Sequence, residues 1–350
     1  MVNILIVPLD NSNNLQAKKL LEFYRYSDNS KYKITNDPIK ADVILVCDVG
    51  FLNYGENILK NKFIKKFLNK CFILSITDRP IPVFRGILTS GEKSFINFGR
   101  IRTISYNGYS DNFKNPFISN YSFEDNPNIK KEYFFSFIGR DSDPVRKEIF
   151  NIKYKRKDIF LLDSTNTFNL YETNIDFLNK QKQYCDVMIR SKFVLCPRGW
   201  GATSFRLFEA MKLGLVPVII SDEWILPKGP KWEDFSIIIS KKDIMHLEEK
   251  MLERENDFAE MGLLAKNAFD KYFEDNVIFE KIILDCLDIK KNQLIPESFF
   301  FYIISPIYIK LLKFKNGRFI SMRNGFNLIF TRPFDMFKKS NLQKIKRFFS

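Results

Sequence analysis

Short apolar runs alternate with longer amphipathic stretches from the start of the chain. Val2–Val7 predicts a strand, Leu15–Tyr26 a helix carrying Leu20, Leu21, Phe23 and Tyr24, and Ala41–Val46 a second strand. Ile58–Leu68 predicts another helix and Cys71–Ile76 a third strand. The stretch 111–131 is rich in Asn, Asp, Ser and Pro and suits an interdomain linker. Strands are then expected at Tyr133–Ile138, Asp158–Leu162, Lys192–Cys196, Val216–Ile220 and Ser236–Ile239. Helices are expected at Asp243–Glu253 and across a long segment, Phe258–Leu287. Strands that alternate with helices imply parallel sheets joined by crossover helices. At 350 residues the chain exceeds what one core usually holds, so two α/β halves are expected. No internal repeat is visible.

The segment 191–222, SKFVLCPRGWGATSFRLFEAMKLGLVPVIISD, carries the most chemistry. A strand enters a Pro-Arg-Gly-Trp-Gly loop, a helix opens at Thr203 or Ser204 and stops at Gly214, and a second strand follows. That is the layout of a phosphate-binding βαβ unit. The first turn of a helix leaves N–H groups unpaired and partially positive. Gly199 and Gly201 let the main chain approach an anion, and Arg198 and Arg206 can fork onto phosphate oxygens. Glu209 can accept two hydrogen bonds, as the vicinal diol of a ribose would offer. The competing reading of Arg206 and Glu209 is an i, i+3 surface ion pair worth a few tenths of a kcal/mol.

These residues resemble the signature of the exostosin-like glycosyltransferases, glycosyltransferase family 47. Further pieces match in the same order: Phe135–Arg140 with Pro144-Val145-Arg146, Tyr184–Ser191, Leu226-Pro227, and Trp232–Ser236. The resemblance spans roughly residues 133–265. Lys228 departs from it, standing where the family usually has Phe, and residues before 133 show no matching motif. The resemblance implies a GT-B fold, α/β with two Rossmann-like domains facing across a cleft. Here these would be an acceptor domain at 1–125, a nucleotide-sugar domain at 126–290 and a basic aromatic tail at 291–350. It also implies an inverting transfer of sugar from a nucleoside-diphosphate sugar, with a UDP-sugar favoured, to a glycan or lipid-linked glycan. The expected donor-binding set is Arg140, Arg146, Arg198, Gly199, Gly201, Ser204, Arg206 and Glu209. Asp222 and Glu223 would contact the donor sugar. No cofactor is expected, with arginines and a helix N-terminus replacing a metal at the leaving group.

The base is sought in the first half. Asp48 and Asp78 each follow a predicted strand at its carboxyl end, where cleft residues belong. Asp78, set in Thr77-Asp78-Arg79-Pro80, is preferred because a cation adjoins it; a turn-forming role is an even alternative for either. The Asp141-Ser142-Asp143 pattern is discounted as a metal signature. Asp before proline is a natural helix N-cap with a natural first turn. One histidine, His246, and five scattered cysteines give no zinc spacing and no Ser/His/Asp triad.

Charge is concentrated at the end of the chain. Of the net +14, the segment 291–350 contributes +10, from twelve Lys or Arg against two acids, interleaved with aromatics. Basic and aromatic residues mixed on short amphipathic segments suit an anionic membrane surface. A solvated end partly packed on the first domain is the plainer alternative. The cysteines are expected as buried free thiols in a reducing compartment. With no secretory signal and no long apolar run visible, a cytoplasmic, membrane-peripheral enzyme is expected. Two other classes stay open: a nucleotide-sugar-binding scaffold without catalysis, and nucleic-acid binding through the tail.

Overall fold

The computed structural model describes residues 1–9, 14–28, 30–47, 54–78, 80, 82–94, 97–106, 114–123, 129–167 and 175–314. The chain divides into two compact units. Among the described residues the first comprises those within 1–17, 28–103 and 282–314, and the second those within 18–27 and 104–281. The boundary expected near 125 therefore falls at 103/104. Of the segment expected as an appended tail from 291, the described part, 291–314, groups with the first unit.

Up to residue 103 the elements are β1 (Val2–Pro8), α1 (Leu15–Tyr24), β2 (Tyr32–Ile34), β3 (Val43–Cys47), α2 (Tyr54–Lys60), α3 (Lys62–Lys66), β4 (Cys71–Ser75), β5 (Gly86–Leu88) and β6 (Ile101–Thr103). The strands form one parallel sheet in the order β2-β1-β3-β4-β5-β6. Every residue of β3 and β4 is buried, which is why β3 is an unbroken apolar run and β4 is apolar up to Ser75. The single helix expected over Ile58–Leu68 is broken. Asn61 caps α3, its side chain accepting the Ile64 N–H at 3.0 Å. Strands β2, β5 and β6 are only three residues long, too short for a periodic signature.

The second unit contains α4 (Pro116–Ser119), β7 (Tyr133–Gly139), α5 (Pro144–Asn151), β8 (Ile159–Asp163), α6 (Ile175–Ile189), β9 (Ser191–Pro197), α7 (Phe205–Lys212), β10 (Val216–Ile220), α8 (Trp232–Phe235), β11 (Ile237–Ile238), α9 (Leu247–Leu252) and α10 (Phe258–Tyr272). A 3₁₀ stretch, Lys241–His246, leads into α9. The sheet is parallel, in the order β11-β10-β9-β7-β8. Strand side chains alternate between its two faces. Val194 and Cys196 of β9 join one core with Leu207, Met211, Trp224, Phe269 and Phe273. Phe193 and Leu195 join the other with Phe137, Val145, Ile149 and Leu247. From β7 the chain goes first to β8 on one side and then to β9 on the other. The strand order thus reverses between β7 and β9, and the carboxyl ends of that pair form a topological switch point. The expected linker 111–131 is partly packed: Ile118 is buried, and the Asn115 amide donates to the Gln181 carbonyl at 2.9 Å.

The long helix expected over Phe258–Leu287 is likewise two, α10 and α11 (Ile278–Asn292). It is followed by α12 (Glu297–Phe299), a π-helical turn at Phe300–Ile304 and α13 (Ser305–Phe314). Glu297 is buried in the first unit and takes Arg100 through Nε at 2.9 Å and Nη2 at 2.7 Å. The Arg85 N–H (3.0 Å) and the Gln293 amide (2.8 Å) complete its shell. The stretch just after 291 is therefore structural, with Glu297 at the centre of a buried network in the first unit. Residues 315–350 lie outside the described residues. All five cysteines are free and buried, as expected.

Candidate functional site

The glycine loop leaves β9 at the switch point and is tied down by its neighbours. The Arg198 N–H donates to the Ile220 carbonyl at 3.0 Å, and the Ser221 hydroxyl to the Ala202 carbonyl at 2.5 Å. From α5, the buried Arg146 donates to three carbonyls: Nε to Arg198 (2.8 Å), Nη1 to Arg140 (3.1 Å) and Nη2 to Pro197 (3.2 Å). It stitches the ends of β7 and β9 together. A Cβ on Gly199 would lie 3.0 Å from Arg146 Nη2, so the loop rests directly on that guanidinium. Burial, and then the neighbouring Arg206, push the Arg146 guanidinium down to about 9. Arg146 was expected in the donor-binding set; all three of its guanidinium nitrogens already hold main-chain carbonyls.

Arg206 lies in the first turn of α7 and is buried. Its Nη2 donates to the Ile138 carbonyl, and its guanidinium lies over the Phe137 ring at 4.6 Å and the Tyr184 ring at 5.6 Å. Among the described residues its Nε and Nη1 have no hydrogen-bond partner, and neither has the buried Thr203 Oγ1. These three atoms are covered. Glu209 is not half of a surface ion pair. It is half-buried, and its carboxylate accepts the Tyr184 hydroxyl at 2.7 Å. Burial raises the Glu209 carboxyl above the usual carboxylate range, while the Tyr184 hydrogen bond and Arg206 pull it down. Burial also raises the Tyr184 phenol well above its ordinary value, against the opposing pull of Arg206.

The groups that remain accessible lie above this layer. Arg198 keeps 20% of its side chain exposed and faces Asp143 at 3.3 Å. Asp143 caps α5, accepting the Val145 N–H at 3.0 Å, as expected of an aspartate before proline. Arg140 is exposed at the end of β7, and Gly201 is buried within the loop. Ser204 takes the N-cap position of α7, but its side chain makes no capping bond. Two aromatic rings flank this point: Trp200, 62% exposed, and Phe205, 39% exposed and stacked on Tyr106 with centroids 4.2 Å apart. Asp222, expected at the donor sugar, accepts the Lys241 N–H at 3.0 Å and so braces a turn; Glu223 beside it is half-buried. In the first unit, Asp78 is half-buried three residues past β4. Asp48 and Arg79, the cation expected beside Asp78, lie outside the described residues. Tyr184 was absent from the expected set because nothing in the sequence links it to a glutamate 25 positions on.

The donor-binding candidates, from Arg140 to Glu223, fall inside one recognised stretch, since the Exostosin GT47 domain matches residues 108–254. Residues 108–254 are therefore similar to an exostosin GT47 domain. The chain is 30% identical over 105 residues to Exostosin-1 homolog of Caenorhabditis elegans, covering 29% of this chain and 28% of that protein. It is 34% identical over 122 residues to Probable glucuronosyltransferase Os03g0107900 of Oryza sativa subsp. japonica, covering 33% and 28%. It thus spans little more than a quarter of either relative's length. Among solved structures, Anabaena Alr3699/HepE in complex with UDP aligns over 81% of this chain and 99% of its own at 11% identity, with a TM-score of 0.39. The exostosin domain holds the whole switch point: β7 through β11, the glycine loop and α7.

Proposed function

We propose that the chain is a glycosyltransferase that binds a nucleoside-diphosphate sugar at the β7/β9 switch point and transfers the sugar to a hydroxyl acceptor. The observation that carries this reading is the convergence of three groups within the exostosin domain. The glycine loop, the uncapped N-terminus of α7 and the part-exposed side chain of Arg198 meet at the carboxyl ends of β7 and β9. First-turn N–H groups and an arginine suit the diphosphate, and Glu209 suits the ribose diol. Arg146 and Arg206 place two buried cations beneath the loop, and a bound anion would relieve their mutual repulsion.

In the reaction, the acceptor oxygen bonds to the anomeric carbon as the bond from that carbon to the diphosphate oxygen breaks. The leaving electron pair stays on the nucleoside diphosphate, stabilised by Arg198 and the α7 amides. The acceptor proton passes to a carboxylate base, for which Asp78 is the candidate. A UDP-sugar is the favoured donor, an inverting outcome the expected stereochemistry, and a glycan or lipid-linked glycan the favoured acceptor. Two relatives named as an exostosin homolog and a glucuronosyltransferase support this reading.

A thermal-shift screen of UDP-, GDP-, CMP- and dTDP-sugars, followed by turnover of the stabilising donor, tests it. Arg198→Ala is expected to lower turnover by about 10²–10³ with the fold intact. Stabilisation by no donor, or unchanged turnover in Arg198→Ala, overturns the assignment. Donor binding without hydrolysis or transfer would leave a binding protein in place of an enzyme.

A further inference from the structure

The segment Glu297–Lys310 has two faces. Glu297, Phe300, Phe301, Ile304 and Ser305 are buried in the first unit. On the other side Phe299, Tyr302, Ile303 and Ile307 are 43, 56, 48 and 45% exposed, spaced so that they line three successive turns, and Lys310 follows on the same side. Exposed apolar residues scattered singly are ordinary; four large ones aligned on one helical face are not. The segment cannot roll to hide them. The Arg100 guanidinium grips Glu297, the Ser305 hydroxyl donates to the Val83 carbonyl at 2.6 Å, and Phe301 packs edge-on to Phe84 at 5.7 Å.

We propose that this face docks on an anionic lipid surface. The chain beyond it supplies the argument for that occupant. Residues 311–350 carry ten Lys or Arg against one Asp, with Phe repeated throughout. Anionic headgroups neutralise such a charge, and the acyl boundary beneath them accepts the Phe299–Ile307 side chains. A nucleic acid would meet the charge but leave the apolar face in water. A second copy of the chain would bring a second set of the same cations against the first. Among the described residues no helix is long and apolar enough to cross a membrane.

The test uses the full chain and flotation with vesicles of phosphatidylcholine alone or mixed with phosphatidylglycerol. The intact protein is expected to float with the mixed vesicles and to keep a fraction bound in high salt, because apolar insertion is not screened. The triple variant Phe299→Ser/Ile303→Ser/Ile307→Ser should bind about tenfold more weakly and lose the salt-resistant fraction. Replacing the same three residues by Leu should restore it, which separates loss of the face from loss of the fold. Nucleotide-sugar stabilisation, a property of the other unit, should not change in either variant, so this test stands or falls apart from the donor-site reading. The proposal is overturned if the serine variant floats as well as the parent. It is also overturned if the intact protein ignores the mixed vesicles, or if the substitutions abolish only self-association or RNA binding.

Discussion

Glu209 sits between opposing influences, since burial favours its neutral form while the Tyr184 hydroxyl and the Arg206 cation favour its charged one. A carboxylate that holds a ribose diol must be ionised to accept both hydroxyls. Nucleotide-sugar affinity should therefore fall, on acidification, at a higher pH than for an ordinary glutamate. Tyr184→Phe removes an influence that lowers the Glu209 value, so the acid limb of an affinity–pH profile should move to still higher pH. A limb that stays in place would show that Glu209 does not bind the donor. Arg146 and Arg198 should part company under mutation. Arg198→Ala should lose turnover and keep stability. Arg146→Lys should lose stability as well, by about 1–3 kcal/mol in urea denaturation, because one ammonium cannot reproduce a planar fork over three main-chain carbonyls.

At the scale of elements, the exit from α7 is as constrained as its entry. Gly214 follows the helix with φ +69, a left-handed cap that favours glycine, and a Cβ there would lie 2.4 Å from the Phe123 ring. Helix α10 crosses so close to this turn that a Cβ on Gly262 would meet the Gly214 carbonyl oxygen at 2.3 Å. The contact fixes how α7, β10 and α10 pack, and with them the position of the glycine loop. Gly262→Ala is thus expected to destabilise by more than about 2 kcal/mol, although alanine is the better helix former. Chemical denaturation measures this, and a neutral or stabilising effect would show that α10 can shift freely.

At the scale of the molecule, the decisive contact in the first unit joins residues far apart in sequence. Arg100 and Glu297 are both almost wholly buried, and Glu297 also closes over the Arg85 main chain. Removing one partner of a buried pair strands the other charge. Glu297→Ala should therefore cost about 3–5 kcal/mol, read as a lower melting temperature. The same contact decides how the basic end can be studied. Truncation after Lys290 would remove Glu297 and unfold the first unit, whereas truncation after Phe314 leaves this network whole. If a chain ending at Lys290 kept the full melting temperature, the pair would be dispensable.

The sequence by itself determined much of the second unit. The glycine loop, α7, β9 and β10 were legible because fully buried parallel strands write continuous apolar runs and a helix between them needs its cap and its glycine stop. The exostosin resemblance was legible for the same reason: the motif is a local piece of chain. Short strands such as β5 and β6 were not, since three residues display no period. Tertiary structure alone decided which arginine does what. Arg146, Arg198 and Arg206 look equivalent in a motif. Only the approach of β7 to β9 spends Arg146 on carbonyls, covers Arg206 and leaves Arg198 part-exposed beside Asp143. It likewise paired Tyr184 with Glu209 and returned Glu297 to Arg100. Contacts over such separations are set by how sheets and helices pack, a long-range outcome that no local spacing records.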